Sequence, residues 1–204
     1  RVTSLNPRPM YFSEVRVDPF DEDRLYVLGI RLWISEDGGE SWREVISALP
    51  SIYSGYRTGI GVLSPHPTEA GRIFAGVAFF PDPPVESPMD AGGIFVSDDY
   101  GEEWSFITAT EPLSSVEEIH YDAVNPDQIY AGTAGTGIWK STTGGNAWEQ
   151  LTVPGIEQPV GVGSLAAHPD RADVLVARLL SFAETSNPSG ILYISQDAGS
   201  TWTQ

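Results

Sequence analysis

Glycoside hydrolysis needs two carboxylates ~5–10 Å apart across a sugar cleft, one with a raised pKa. Two runs of this sequence carry residues of that kind. Asp82, Glu86 and Asp90 lie in the stretch Phe79 to Gly92 (FFPDPPVESPMDAG), directly behind Phe79 and Phe80. Glu184 stands in a second stretch, Leu180 to Gly190 (LSFAETSNPSG), beside Phe182. Between Ser47 and Thr58, Tyr53, Tyr56 and Arg57 add aromatic faces and a cation suited to stacking on sugar rings. No spacing pairs any two of these carboxylates, and Pro-rich acidic loops are ordinarily solvated. The ten residues are therefore read as a binding surface, and no catalytic residue is assigned.

Other chemistries have less to work with. Three His and no Cys argue against a zinc centre. His66 and His168 each precede Pro, in the place that Asp18 and Asn125 take elsewhere. A position that accepts Asp, His and Asn before Pro is a turn position. His120, in Glu118-Ile-His-Tyr-Asp122, reads as a half-buried strand histidine with a satisfied ring. Asp18-Pro-Phe-Asp21-Glu-Asp23 crowds four carboxylates together but lacks the alternating ligands and fixed Gly of a calcium loop, so a solvated acidic turn is expected. There is no Gly-x-Ser-x-Gly elbow for a serine nucleophile. No metal and no cofactor are expected.

Composition narrows the partners. With 28 Asp+Glu against 11 Lys+Arg, the 204-residue chain carries a formal charge of −17 and a pI near 4.3. Such a surface repels phosphate backbones and anionic lipid, so nucleic acid is excluded as an expected partner. No stretch approaches the ~20 apolar residues of a bilayer span. Hydrophobic residues at 41% suffice for a core, and 21 Gly with 16 Pro favour short strands and many turns over long helices. The chain opens at Arg1 without a recognisable signal peptide and reads as a piece of something longer.

A repeat organises the rest. Four boxes fit Ser-x-[Asp/Thr]-x-Gly-x-x-Trp: Ser35, Asp37, Gly39 and Trp42; Ser97, Asp99, Gly101 and Trp104; Ser141, Thr143, Gly145 and Trp148; Ser195, Asp197, Gly199 and Trp202. An aromatic precedes each Ser by two residues (Trp33, Phe95, Trp139, Tyr193), and an Asp, His or Asn followed by Pro lies upstream. A β-type run separates the two landmarks. Each unit thus reads as four strands, A to D, with the X-Pro turn between A and B and the box as the C–D hairpin. The box Asp accepts N–H groups within the turn and the Gly supplies positive φ. The box aspartates are therefore assigned to the fold and given no chemistry.

Four-stranded units of ~40–50 residues with one turn motif each are the mark of β-propeller blades. We expect an all-β propeller segment over 1–204, with blades near 10–47, 58–109, 115–153 and 160–204. From the Pro to the box Ser, the first and third units take 16 and 15 residues and the second and fourth take 30 and 26. The surplus falls between strands B and C. B–C and D–A loops leave a propeller on the face opposite the box hairpins, and function is expected there.

The boxes resemble Asp-box (BNR) repeats, found in sialidases, xyloglucan-degrading endoglucanases, sortilin-type receptors and photosystem II assembly factors, all β-propellers. The stretch from Asn6 to Pro19 is most similar to bacterial sortilin-like or glycosyl-hydrolase-like repeat proteins. Thr143 departs from the motif and is expected to hold its hairpin more weakly. Sialidase chemistry is not implied, because the flanking arginine and Tyr/Glu motifs of that family are missing. The resemblance implies a larger ring or a half-ring that pairs with a second chain, with a closed four-bladed ring as the competing reading. It also implies an extracellular or periplasmic location. The expected role is a non-enzymatic scaffold that binds a protein or polysaccharide partner through the loops of one face, with self-association or additional blades completing the ring; the alternative is a glycoside hydrolase of the endoglucanase or xyloglucanase kind, or a fragment of one.

Overall fold

The computed structural model describes residues 14–28, 32–45, 56–81, 91–110, 113–156, 160–181 and 190–204. Four antiparallel sheets follow one another along the chain. The first is β1 (Glu14–Val17), β2 (Leu25–Leu28), β3 (Leu32–Ser35) and β4 (Arg43–Glu44). The second is β5 (Tyr56–Pro65), β6 (Ile73–Pro81), β7 (Ala91–Ser97) and β8 (Ser105–Phe106). The third is β9 (Val116–Tyr121), β10 (Ile129–Thr133), β11 (Ile138–Ser141) and β12 (Glu149–Gln150). The fourth is β13 (Val160–Ala167), β14 (Leu175–Ser181) and β15 (Ile191–Ser195), and Thr203 adds an isolated antiparallel bridge to Ile194. Among the described residues the one helical element is a 3₁₀ turn at Thr108–Thr110. This is the all-β, four-stranded blade architecture of a propeller.

Alternation along the strands decides which blade each residue meets, because successive side chains leave opposite faces. In β6, Ile73, Ala75 and Val77 join Tyr26, Leu32 and Ile34 of the first blade. Phe74 between them turns the other way, to Val116, Ile119 and Ile129 of the third. In β10, Tyr130 faces Val160, Leu165, Leu175 and Ala177 of the fourth blade. A central strand is thus apolar on both faces, and the hydrophobic cores lie between blades. The close packing of blades two and three requires a glycine at Gly76, where a Cβ would stand 2.6 Å from Val116 Cγ1 and 2.6 Å from Val62 Cγ1.

The A–B turns correct the sequence register. Asp18, His66, Asp122 and His168 each donate their N–H to the carbonyl six residues on, Arg24, Arg72, Gln128 and Val174, at 2.8–2.9 Å. The third-blade member of the set is Asp122, three residues before Asn125. What the position requires is a side-chain acceptor for the N–H two residues on. Asp18 Oδ1 takes it from Phe20 (2.9 Å), His66 Nδ1 from Thr68 (3.4 Å), Asp122 Oδ1 from Val124 (2.9 Å) and His168 Nδ1 from Asp170 (3.1 Å). Pro follows three times, but Ala123 serves as well. Asp18 also departs from the solvated turn expected of it. It is buried and accepts the Tyr26 hydroxyl at 2.9 Å, which, after burial itself, pushes the Tyr26 phenol well above its ordinary pKa.

Candidate functional site

The box face is built from bonds that each blade repeats. Ser Oγ accepts the N–H of the box Gly at 2.8 Å in blades one, two and four and at 3.0 Å in blade three. It donates to Asp37, Asp99 and Asp197 at 2.8, 2.8 and 2.9 Å, whereas Ser141 and Thr143 hydroxyls stand 3.3 Å apart. Oδ1 of each Asp then takes the N–H four residues on, from Ser41, Glu103 or Thr201, and Thr143 Oγ1 takes that of Ala147. Each Trp indole donates to the box Gly carbonyl at 2.8–3.0 Å. The box Gly residues hold φ of 86–92°, a left-handed conformation that a Cβ disfavours. The Ser41 hydroxyl and N–H lower the Asp37 pKa to about 2, and the Thr201 hydroxyl and N–H lower that of Asp197. These carboxylates are charged and committed to their own turns.

Two further connections tie this face together. The A–B turn carbonyls of Asp23, Gly71, Asp127 and Asp173 accept the N–H groups of box residues Gly38, Tyr100, Gly144 and Ala198 at 2.8–3.0 Å. A cation on each of the first three blades then reaches that same box position on the next. Arg24 lies 4.0 Å over the Tyr100 ring, Arg72 Nη2 donates to Gly144 O at 3.0 Å, and Lys140 Nζ donates to Ala198 O at 3.2 Å. Sequence alone has no means of finding these latches, because each partner sits on another blade.

Where the innermost strands converge on the box side, a cavity of about 510 Å³ is lined by Arg16, Ser64, His120, Asp122, His168 and several prolines. Its charges are already engaged. Arg16 pairs with Glu14 and donates through Nε to Leu63 O at 3.1 Å; His120 Nε2 meets Glu118 Oε2 at 3.1 Å; Asp122 Oδ2 accepts the Asp173 N–H at 2.8 Å. Nearby, His66, Glu69 and Asp127 bring one ligand atom each within 4.8 Å of one another. Burial lowers the His66 pKa, which suits a neutral ligand, but the Arg72 guanidinium bonds Glu69 at 2.8 Å and opposes a cation there.

The opposite face is uneven. In blade three, β10 ends at Thr133, and Thr133 N donates to Gly137 O across a tight B–C turn. The register that pairs Ile73 with Ser97 and Ile129 with Ser141 makes Val77 the counterpart of Thr133, so β6 continues through Pro81. By the same count β14 continues through Ser181. At ~3.3 Å per residue these strands overtop blade three by about 13 Å and about 7 Å. Blade three is a saddle between two taller blades. Its floor is a hydroxyl network in which Ser114 Oγ accepts the Gly135 N–H (2.8 Å) and Gln150 Nε2 donates to Thr136 O (2.7 Å). Beside it, Gly137, Ile138, Gln150, Leu151, Val160 and Leu179 line a cleft of about 170 Å³ toward blade four.

Of the binding residues named from sequence, Tyr56 and Arg57 lie on β5 and Phe79 and Phe80 on β6. They belong to one ladder, with Tyr56 opposite Pro81 and Arg57 opposite Phe80. The expected loops at Ser47–Thr58, Phe79–Gly92 and Leu180–Gly190 therefore begin or end as strand, because cross-strand pairing carries on past the common blade length. Tyr53, Asp82, Glu86, Asp90, Phe182 and Glu184 fall outside the described residues.

The profile of the Sortilin-Vps10 family (sortilin, neurotensin receptor 3) matches residues 92–204, more than half of the chain. The chain belongs to this family. The Sortilin-Vps10 chain is also 24% identical over 188 residues to a xyloglucanase of Hypocrea jecorina, covering 80% of itself and 22% of that protein. It is 29% identical over 155 residues to an oligoxyloglucan-reducing end-specific xyloglucanase of Emericella nidulans, covering 74% of itself and 17% of the relative. A vacuolar protein sorting/targeting protein 10 of Mycosarcoma maydis is 27% identical over 118 residues, 54% of this chain and 8% of the other. The chain thus spans about a fifth or less of the length of these relatives. Among solved structures, an ancestral GH74 enzyme superposes with a TM-score of 0.75 at 23% identity, over 95% of this chain and 25% of that one. The GH74 xyloglucanase from Xanthomonas campestris gives 0.70 at 20%, over 93% and 29%. These likenesses establish the propeller fold. No helix among the described residues is long and apolar enough to cross a membrane.

Proposed function

We propose that the chain is a non-enzymatic propeller scaffold, extracellular or periplasmic, that holds a protein or polysaccharide partner on the face opposite its boxes. The observation that carries this reading is the asymmetry between faces. On the box side the hydrogen-bonding groups of the turns are spent on one another, while on the other side two blades rise above a third and frame a saddle. An extended chain laid across the saddle meets walls on both sides, and the strands that carry Tyr56, Arg57, Phe79 and Phe80 form one of them. Membership of the Sortilin-Vps10 family, described by the names of receptors, supports a binding role.

Similarity to two proteins named xyloglucanases over 74–80% of the chain favours a second reading, a hydrolytic propeller segment acting on xyloglucan. One experiment separates the two. The full chain is incubated with xyloglucan; sugar release is measured by reducing ends, and binding by calorimetry. Binding without release is expected, and it should be lost in a variant carrying alanine at Asp82, Glu86, Asp90 and Glu184. Release that the same variant abolishes would replace the scaffold reading with the hydrolytic one. With a protein partner in place of the polysaccharide, the charge of −17 calls for a neutral or cationic surface and for weakening as salt rises.

A further inference from the structure

The seam between blades two and three and the seam between blades three and four bring the same repeat positions together on the box face, with different residues in them. Counting from the A–B turn acceptor, His66, Glu69 and Arg72 of blade two match Asp122, Asn125 and Gln128 of blade three, and Asp127 of blade three matches Asp173 of blade four. At the later seam two acceptors bracket a donor. Gln128 Nε2 stands 3.3 Å from Asp122 Oδ2 and 3.1 Å from Asp173 Oδ1, so one amide nitrogen joins the turns of neighbouring blades. At the earlier seam the acceptors are His66 and Asp127, and the residue in the Gln128 position is turned to other partners. Arg72 gives Nη1 to Glu69 Oε2 at 2.8 Å and Nη2 to Gly144 O at 3.0 Å. Among the described residues no side chain takes the bridging place between His66 and Asp127.

The groups around that place are metal ligands by type. One ligand atom each from His66, Glu69 and Asp127 lies within 4.8 Å of the other two. His66 is 2% exposed, its ring set edge-on to Tyr121 with centroids 5.0 Å apart, and burial holds it neutral. Glu69 and Asp127 are exposed and free to close the remaining distance, and the Asp127 carboxylate makes no hydrogen bond or ion pair among the described residues. An imidazole with two carboxylates suits a first-row divalent ion, which zinc exemplifies at ~2.0–2.2 Å from such ligands, with water completing the shell. The Arg72 guanidinium weakens the attraction without filling the place, because Glu69 and, at 3.6 Å from Nε, Asp98 flank it. The charge of −17 on the whole chain concentrates cations at its surface.

We propose that His66, Glu69 and Asp127 bind a divalent metal ion of the zinc type, which clamps the A–B turn of blade two to that of blade three. The ion does on this seam what the Gln128 amide does on the next.

Calorimetry of the full chain with zinc chloride tests this. One ion per chain is expected, with a dissociation constant below about 100 µM, and the melting temperature should rise on its addition because the site exists only in the folded chain. Asp127→Asn and Glu69→Gln change exposed residues and leave the fold intact; each should weaken binding at least about tenfold and reduce the rise in melting temperature. His66→Asn keeps an acceptor for the Thr68 N–H and should weaken binding as much. Asp21→Asn with Glu22→Gln removes two carboxylates from the blade-one turn and should leave the constant within about twofold, since only general surface attraction is lost. Calcium, which prefers oxygen ligands, should bind at least about tenfold more weakly than zinc. No saturable site below about 100 µM, an affinity that Asp127→Asn or His66→Asn leaves unchanged, an equal loss in the blade-one control, or calcium as tight as zinc would each overturn the proposal.

Discussion

The two faces of this propeller solve different problems with the same repeat. On the box face, the Ser, Asp or Thr, and Gly of each hairpin, the acceptor of each A–B turn and, in blades two to four, the cation from the preceding blade form a set of short-range bonds that varies little between blades. On the opposite face the blades share no such pattern. Blade three closes through a turn from Thr133 to Gly137, while blade two runs its ladder out to Tyr56 and Pro81. The difference shows where the sequence is constrained by self-satisfaction and where it is free to meet something else.

Replacing Trp104 by Ala attacks the constrained side hardest. The ring is 9% exposed in the core between blades one and two, and its removal should lower stability by about 3–5 kcal/mol in denaturant unfolding. Ser97→Ala comes next. Its hydroxyl is buried and accepts the Gly101 N–H, so the variant strands a buried donor and should lose about 1–3 kcal/mol by the same measurement. Acid should then reveal the carboxylates. Because the Asp37 pKa is lowered to about 2, its contribution is complete above the unfolded value of ~4 and disappears as pH falls through 2. The gap in melting temperature between wild type and Asp37→Asn should therefore narrow from pH ~5 to pH ~2, and a constant gap would detach the carboxylate from stability.

Smaller effects sharpen the contrast. Thr143→Asp restores the acceptor set of the other boxes and should stabilise blade three by a few tenths to about 1 kcal/mol, since the 3.3 Å hydroxyl contact becomes a charged one. At the far end of the scale, alanine at Asp82, Glu86, Asp90 and Glu184 should change stability by less than about 0.5 kcal/mol while removing partner binding. An equally large loss of stability there would erase the distinction between the faces.

Several of these features were readable one residue at a time. The box announces itself because hydrogen bonds within five residues need particular side chains at particular offsets. In blade three Pro126 points the sequence register to Asn125, whereas the physical requirement is an acceptor, which Asp122 supplies. Phe79 and Phe80 read as loop in the sequence because nothing local marks where a ladder stops; that depends on whether β5 and β7 continue beside it. The latches of Arg24, Arg72 and Lys140 were illegible for a similar reason, each having its partner 58 to 76 residues away on the next blade.

The sequence by itself determined the unit: four strands and a polar-pinned hairpin, consequences of turns and hydrogen bonds within one blade. Only the tertiary structure decided how units meet. The alternation of β6 between two neighbouring cores and the relief of the saddle depend on distances between chain segments that no local rule encodes.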